Sequence, residues 1–378
     1  MFHLTEEQEL VRNSAREFAT TVCAPIAAEL DENATWPEAS VKQMADLGFM
    51  GIPFAEEFGG GGADYLTYVL AVEEISRACA ATGVILSAHV SLGTGPINQF
   101  GTDEQKRRYL PDLCAGKKLG AFCLTEAGAG TDAASQTTVA TLQGDHYIID
   151  GSKVFITNGD KADVYIVFAM TDKSKGTKGI SAFIVERNFP GVSVGKHEHK
   201  MGIRAAHTTE ILFKDARVPK QNLIGKEGEG FKIAMATLDG GRIGIAAQAL
   251  GIAQAALDSS VKWAKDRQQF GKPIAANQAI QFYIADMATQ VQAARHLVYH
   301  AAALKDEGKP FSKEAAMAKL FASETAMQQS VKAVQIHGGL GYIKGTVAER
   351  LMRDAKITEI YEGTSEVQRM VIAAKALA

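Results

Sequence analysis

Three textures of apolar and polar spacing follow one another along this chain. From residue 5 to about 118 the apolar positions recur at helical intervals. Leu70–Ala80 alternates apolar and charged faces, and Thr5 with Gln8 has the spacing of a capping box. Phe58-Gly59-Gly60-Gly61-Gly62 breaks this stretch as a flexible hinge or loop; no Lys-Ser/Thr follows that would make it a phosphate cradle. From about 119 the period shortens. Gln136–Leu142 reads as a strand and Tyr147–Gly159 as strand, turn, strand. Val164–Met170, Gly179–Glu186, Val192–His199 and Thr208–Phe213 continue in the same way. Strands this close, with no helices between them, predict an antiparallel barrel or sandwich. From about 228 helices return and are long. Ile280, Ile284, Met287, Val291, Ala294, Val298 and Ala301 alternate at spacings of 4 and 3, the seam of a left-handed bundle. An Ala- and Gly-rich helix over roughly 230–266 precedes it, a third follows Pro310-Phe311-Ser312, and two short ones close the chain. The expected fold is α+β: an all-α domain over 1–118, an antiparallel β domain over 119–227, and a bundle of four or five helices over 228–378.

Composition removes several functional classes. A chain of 378 residues can bury a sizeable core in two or three domains. A net charge of −3 leaves no basic field to attract nucleic acid or anionic lipid. Cys23, Cys79, Cys114 and Cys123 are scattered without a CxxC pair and read as reduced thiols of a cytoplasmic protein. The opening Met1-Phe2-His3-Leu4-Thr5-Glu6-Glu7-Gln8 is acidic where a targeting peptide would be basic. No apolar run reaches the roughly 18 residues that span a bilayer, so no membrane insertion is expected. His197-Glu198-His199 alone resembles a metal-ligand cluster; it alternates within an expected exposed strand and has no evident third ligand, so no metal is expected. Cys123 reads as packing.

The sharpest chemical signal is Ile360-Tyr361-Glu362-Gly363-Thr364-Ser365-Glu366-Val367-Gln368-Arg369. It sets a carboxylate beside a glycine in an apolar turn, and Ser365 with Gln368 has capping-box spacing for a closing helix. A glutamate kept from water there resists ionisation and becomes a stronger base, as removal of a weakly acidic C–H proton requires. Taken alone, an exposed turn carboxylate is the simpler reading. Leu124-Thr125-Glu126-Ala127-Gly128-Ala129-Gly130-Thr131-Asp132 is no dinucleotide fingerprint, because a strand and not a helix follows it. It suits a flat cofactor approached by backbone, although an ordinary turn accounts for the segment by itself. Arg267-Gln268-Gln269-Phe270-Gly271 ends a helix where a guanidinium can grip a diphosphate and Phe can pack an adenine; a solvated Arg is the plainer alternative. Gln335-Ile336-His337-Gly338-Gly339-Leu340-Gly341 reads as a helix C-cap that could also meet a ligand.

Together these segments resemble the acyl-CoA dehydrogenase family along essentially the whole chain. Both family signatures are present, Cys123–Asp132 and Gln335–Asp354. Asp239-Gly240-Gly241-Arg242-Ile243-Gly244 and the Ile360–Arg369 segment are most similar to the short-chain, bacterial butyryl-CoA dehydrogenase type. The resemblance implies a middle antiparallel β-barrel, a C-terminal four-helix bundle, and a homotetramer arranged as a dimer of dimers, with one non-covalent FAD per subunit. It implies that Phe122, Leu124, Thr125, Gly130 and Thr131, with Phe155, Ile156 and Thr157, contact the flavin, and that Thr364 and Glu366 contact FAD again. Arg267, Phe270, Gln278, Gln335, Gly338 and Gly339 would bind the FAD diphosphate and adenosine across a subunit interface. Thr131, Asp239, Arg242 and Gly363 would meet the acyl-CoA substrate.

The implied reaction is α,β-dehydrogenation of a short-chain acyl-CoA to the trans-2-enoyl thioester. Glu362 takes the α-proton, flavin N5 takes the β-hydride, and an electron-transferring flavoprotein exchanges the electrons. Some relatives carry their base at the position of Gly241; a glycine there leaves Glu362 without a rival. Phe155 stands where many relatives have Trp, and Gly345-Thr346-Val347 replaces an acid followed by Tyr-Pro. The alternatives on this scaffold are an acyl-CoA oxidase, a dehydrogenase of small branched acyl-CoAs, or a flavoprotein used only for assembly or electron relay.

Overall fold

A computed structural model describes residues 3–378; Met1 and Phe2, where the acidic opening begins, lie outside them. The N-terminal part is helical: α1 Glu6–Phe18, α2 Ala24–Asn33, α3 Glu38–Asp46, α4 Tyr65–Ala78, α5 Ala80–Ser87, α6 Gly95–Phe100 and α7 Asp103–Cys114. Thr5 and Gln8 form the expected reciprocal capping box on α1. Two expectations change here. The helix read as two-faced over Leu70–Ala80 is buried on nearly every side, with only Arg77 and Ala78 half-buried, and Cys79 breaks it in extended conformation. Its carboxylates enter the core because cations meet them: Glu74 pairs with Arg16 at 2.5 Å, and Glu73 accepts from Arg295 at 2.9 Å and from Tyr299 at 2.7 Å. The glycine run read as a flexible hinge or loop is a loop, but a folded one, with the N–H groups of Gly60, Gly61 and Gly62 donating to Ala55, Gly51 and Phe54.

The middle of the chain forms an eight-stranded sheet: β1 Gly120–Cys123, β2 Val139–Gln143, β3 His146–Thr157, β4 Val164–Met170, β5 Ile180–Glu186, β6 Val192–His197, β7 Thr208–Pro219 and β8 Leu223–Ile224. The order is β6-β7-β3-β2-β4-β5-β8, with β1 also on β4. Pairing is antiparallel except along one edge of β4, which corrects the wholly antiparallel expectation. There β1 runs parallel beside Val164–Val167, and β2 meets only Met170. One edge thus holds two strands end to end, and the loop between them projects from the gap. The turn expected within Tyr147–Gly159 is instead a bulge in one continuous strand. β3 is paired on both sides, by β2 and β7, so Asp150-Gly151 shifts the register without reversing the chain.

The C-terminal part is α8 Gly230–Asp266, a hairpin of β9 Gln268–Gln269 with β10 Lys272–Pro273, α9 Gln278–Asp306, α10 Ser312–His337, α11 Val347–Lys356 and α12 Ser365–Ala376. The seam of α9 is buried from Met287 to Ala301, while Ile280 and Ile284 near its start are half-covered. Asp306 at its far end accepts from Tyr65 N–H at 2.6 Å and Leu66 N–H at 3.1 Å, so the bundle caps α4 and fixes the N-terminal helices against it. Among the described residues no helix is long and apolar enough to cross a membrane, and all four cysteines are free and buried.

Candidate active site

The turn before α12 is built around Glu362. Glu362 and Gly363 both take positive φ, 53° and 95°; the first is strained for a side chain bearing a Cβ. Thr364, not Ser365, caps the helix, its hydroxyl accepting from Val367 N–H at 3.3 Å. Gln368 does not close a capping box. It is fully buried, and its amide donates to the carbonyls of Glu362 at 3.2 Å and Gly363 at 2.9 Å. Lys319 of α10, also fully buried, donates to the Gly363 carbonyl at 2.8 Å. The turn is therefore gripped from two helices, and the Glu362 N–H donates to no group among the described residues.

These constraints drive the Glu362 side chain toward α8. A Cβ on Gly241 would overlap Oε2 of Glu362 and come within 2.9 Å of Leu92. Glu362 Oε2 is buried without a hydrogen-bond partner, as is Nε of the neighbouring Arg242. Burial pushes the Glu362 carboxyl up to about 7, against the opposing pull of Lys319 and then Arg242. Arg242 is itself held by Asp239, one turn back, at 2.6 Å. A carboxylate at the edge of ionisation, desolvated and unpartnered, is equipped to accept a proton.

The loop from β1 to β2 stands across a helical stretch from this carboxylate. Ala88–Thr94 carries Leu92 toward Gly241, while its His89 ring accepts from Gly120 N–H of β1 at 3.0 Å. Phe122 lies on β1 against Phe168; Leu124 is buried, Thr125 half-buried, and Gly130 and Thr131 exposed. The loop is tied down at Glu126. Its carboxylate accepts from Thr137 N–H at 2.6 Å, Thr138 N–H at 3.0 Å and the ammonium of Lys153, fully buried on β3, at 2.7 Å. Burial opposes the charge on Glu126, but Lys153 and these donors hold its carboxyl down at about 2. Thr125 accepts from Val154 N–H at 2.8 Å, beside a second bulge in β3 that turns Phe155 out, 62% exposed at φ 59°. Ile156 is buried and Thr157 half-buried.

The other expected contacts lie at the opposite end of the bundle. Arg267 caps α8, and Phe270 at φ 52° tips the β9–β10 hairpin, 95% exposed. Gln278 opens α9; Gln335, Gly338 and Gly339 end α10, where His337 stacks on Trp263 at 5.2 Å. A rise of about 1.5 Å per residue along α8 puts Arg267 on the order of 40 Å from Gly241. One chain therefore presents two separated groups of site residues. Thr364 is half-buried and Glu366 exposed beside the Glu362 turn. A grouping that the sequence did not reveal joins His197 to Asp160 and His207, with His207 Nδ1 2.7 Å from Asp160; His199 is no part of it.

Comparison with known proteins bears on this geometry. Models of the N-terminal, middle and C-terminal domains of acyl-CoA dehydrogenase match residues 5–117, 121–216 and 228–377. The chain is 58% identical over 374 residues to a short-chain specific acyl-CoA dehydrogenase of Clostridium acetobutylicum, covering 99% of each. The chain belongs to the acyl-CoA dehydrogenase family. Butyryl-CoA dehydrogenase of Megasphaera elsdenii superposes with a TM-score of 0.99 at 52% identity, covering 100% of both chains. A chain solved in work on the electron transferring flavoprotein of Acidaminococcus fermentans matches with a TM-score of 0.99 at 57% identity, covering 100% of this chain and 99% of that one. This acyl-CoA dehydrogenase is an oxidoreductase whose cofactor is FAD.

The residues present fit that cofactor. A Cβ on Gly128 or Gly130 would meet nothing within 4 Å, leaving backbone open to a planar ring, and Phe155 and Phe270 hold bare aromatic faces in strained backbone. Sequence reasoning missed the Lys153–Glu126 pair and Lys319 of this acyl-CoA dehydrogenase. One signal was available for Lys319: it interrupts a buried face of Ala315, Ala322 and Ala326.

Proposed function

We propose that this acyl-CoA dehydrogenase acts on short-chain, butyryl-like thioesters of coenzyme A, with Glu362 as the base that removes the α-proton. The observation that carries the reading is the Glu362 carboxylate itself: on a half-buried residue, with Oε2 buried and unpartnered, poised near neutral pH and lodged in the space that Gly241 leaves open. The unused Glu362 N–H is the donor for the thioester carbonyl, where negative charge develops as the proton departs. Thr131, Asp239, Arg242 and Gly363 meet the substrate. Water excluded from the turn strengthens each of these contacts.

FAD, when bound, supplies the acceptor for the β-hydride. Phe122, Leu124, Thr125, Gly130, Thr131, Phe155, Ile156, Thr157, Thr364 and Glu366 hold its flavin end. The distant group of Arg267, Phe270, Gln278, Gln335, Gly338 and Gly339 serves the diphosphate and adenosine of a neighbouring subunit. The separation of the two groups along α8 supports a homotetramer in which one chain completes another's site. The electron partner proposed is an electron-transferring flavoprotein, in the cytoplasm. Anaerobic titration of the purified protein with C4, C6, C8 and isobutyryl thioesters tests the reading. Bleaching of flavin absorbance strongest with the C4 thioester is expected; no bleaching with any of them overturns it.

A further inference from the structure

Lys319 is a lysine where lysines are rarely found. Its side chain is fully buried in α10, and no carboxylate of the described residues lies within ion-pair distance of it. Its hydrogen bond goes to a backbone carbonyl, that of Gly363, and the opposite charge it feels most is Glu362. We propose that Lys319 is the positioning residue of the base: its ammonium pins the Glu362–Gly363 turn and favours the ionised carboxylate from behind. The proposal rests on the reading of Glu362 as base.

Three features support it. The carbonyl that Lys319 grips belongs to Gly363, next to Glu362, whose strained positive φ surrounding contacts must hold in place. Gln368 grips the Gly363 carbonyl from α12 as well, along with that of Glu362, but brings no charge, so the cation is not needed merely to satisfy the carbonyl they share. The remaining groups facing Glu362 are Arg242 from α8, engaged with Asp239, and Tyr65, Tyr68 and Tyr361, all neutral phenols pushed upward by burial. Lys319 in turn feels Arg242, Glu359 and Glu366 besides Glu362. Among the described residues it is therefore the one cation facing Glu362 that is not already spent on a carboxylate partner.

The test follows the protonated-carboxyl infrared band of Glu362, isolated by subtracting the spectrum of E362Q, as a function of pH. Lys319→Met and Lys319→Gln are expected to raise its titration midpoint by about one pH unit or more, and Lys319→Arg to leave it within half a unit. At pH 7 a rise of that size lowers kcat about fivefold to tenfold, with KM little changed and Lys319→Arg restoring most of the loss. Lys319→Gln keeps a donor for the Gly363 carbonyl and guards against misfolding of the Met variant. An unmoved midpoint in the neutral variants overturns the proposal. Because the band is read without turnover, a moved midpoint with no flavin bleaching would keep the hold on Glu362 and discard the acyl-CoA reading. Bleaching with an unmoved midpoint would do the reverse.

Discussion

Gly241 and Glu362 share one volume: the space a Cβ would take on α8 is where Oε2 of the carboxylate lies. The missing side chain and the present one are thus a single arrangement, and the helix backbone forms the wall against which that carboxylate rests.

Gly241→Ala is expected to displace that carboxylate while leaving the flavin contacts alone. A shift near 1 Å in a reacting group costs on the order of 100-fold in rate. Steady-state turnover of butyryl-CoA, with the flavin-to-protein ratio as control, checks it; activity within threefold of the parent would show that the carboxylate has room elsewhere.

Glu362→Gln should retain FAD and bind acyl-CoA, yet lose dehydrogenation by about 10²–10⁴-fold, the usual contribution of a positioned base. Near-normal turnover in this variant would dispose of the assignment.

Acidity reports the same group. With its carboxyl at about 7, dehydrogenation should climb with pH through a limb centred near that value in kcat/KM. The stability contribution has the opposite sense. A folded-state value raised above the unfolded one favours the native state fully at low pH, and that support is lost as pH rises from about 4.5 through 7. A flat kcat/KM profile from pH 5.5 to 8.5 would contradict the assignment.

Lys153→Met leaves Glu126 buried without its cation, a change expected to cost about 3–5 kcal/mol of stability and to loosen the 124–138 loop. Urea denaturation and flavin retention measure the two effects. The Glu126 contribution is present above about pH 4.5 and fades as pH falls through about 2. Unchanged flavin content in a folded variant would mean that the pair does not shape the cofactor loop.

Much of this architecture was legible in the residues. The α9 seam announced itself through period, because helix packing repeats over many turns, and the long α8 through its Ala- and Gly-rich composition. Single positions were harder. Asp150-Gly151 has the composition of a turn, but pairing on both edges of β3 makes a bulge of it. Ser365 and Gln368 have the spacing of a capping box, yet Thr364 caps the helix because the strained turn starts it one residue sooner. Glu362 could be picked out by its neighbours in sequence. Lys319 left only a faint trace, a cation on an alanine face, since its partner is a backbone carbonyl 44 residues away. The division of the site residues between two ends of the bundle came only from the length of α8.

Phe155, Phe270 and Glu362 all adopt the left-handed backbone that glycine occupies most readily. Each adds a burden on the order of 1 kcal/mol that the rest of the fold must carry. Laboratory evolution rewarding heat resistance alone would drift toward glycine at these three places. It would end with a hardier protein stripped of two exposed aromatic faces and the proposed base, so screens for durable variants of this enzyme must select for turnover at the same time.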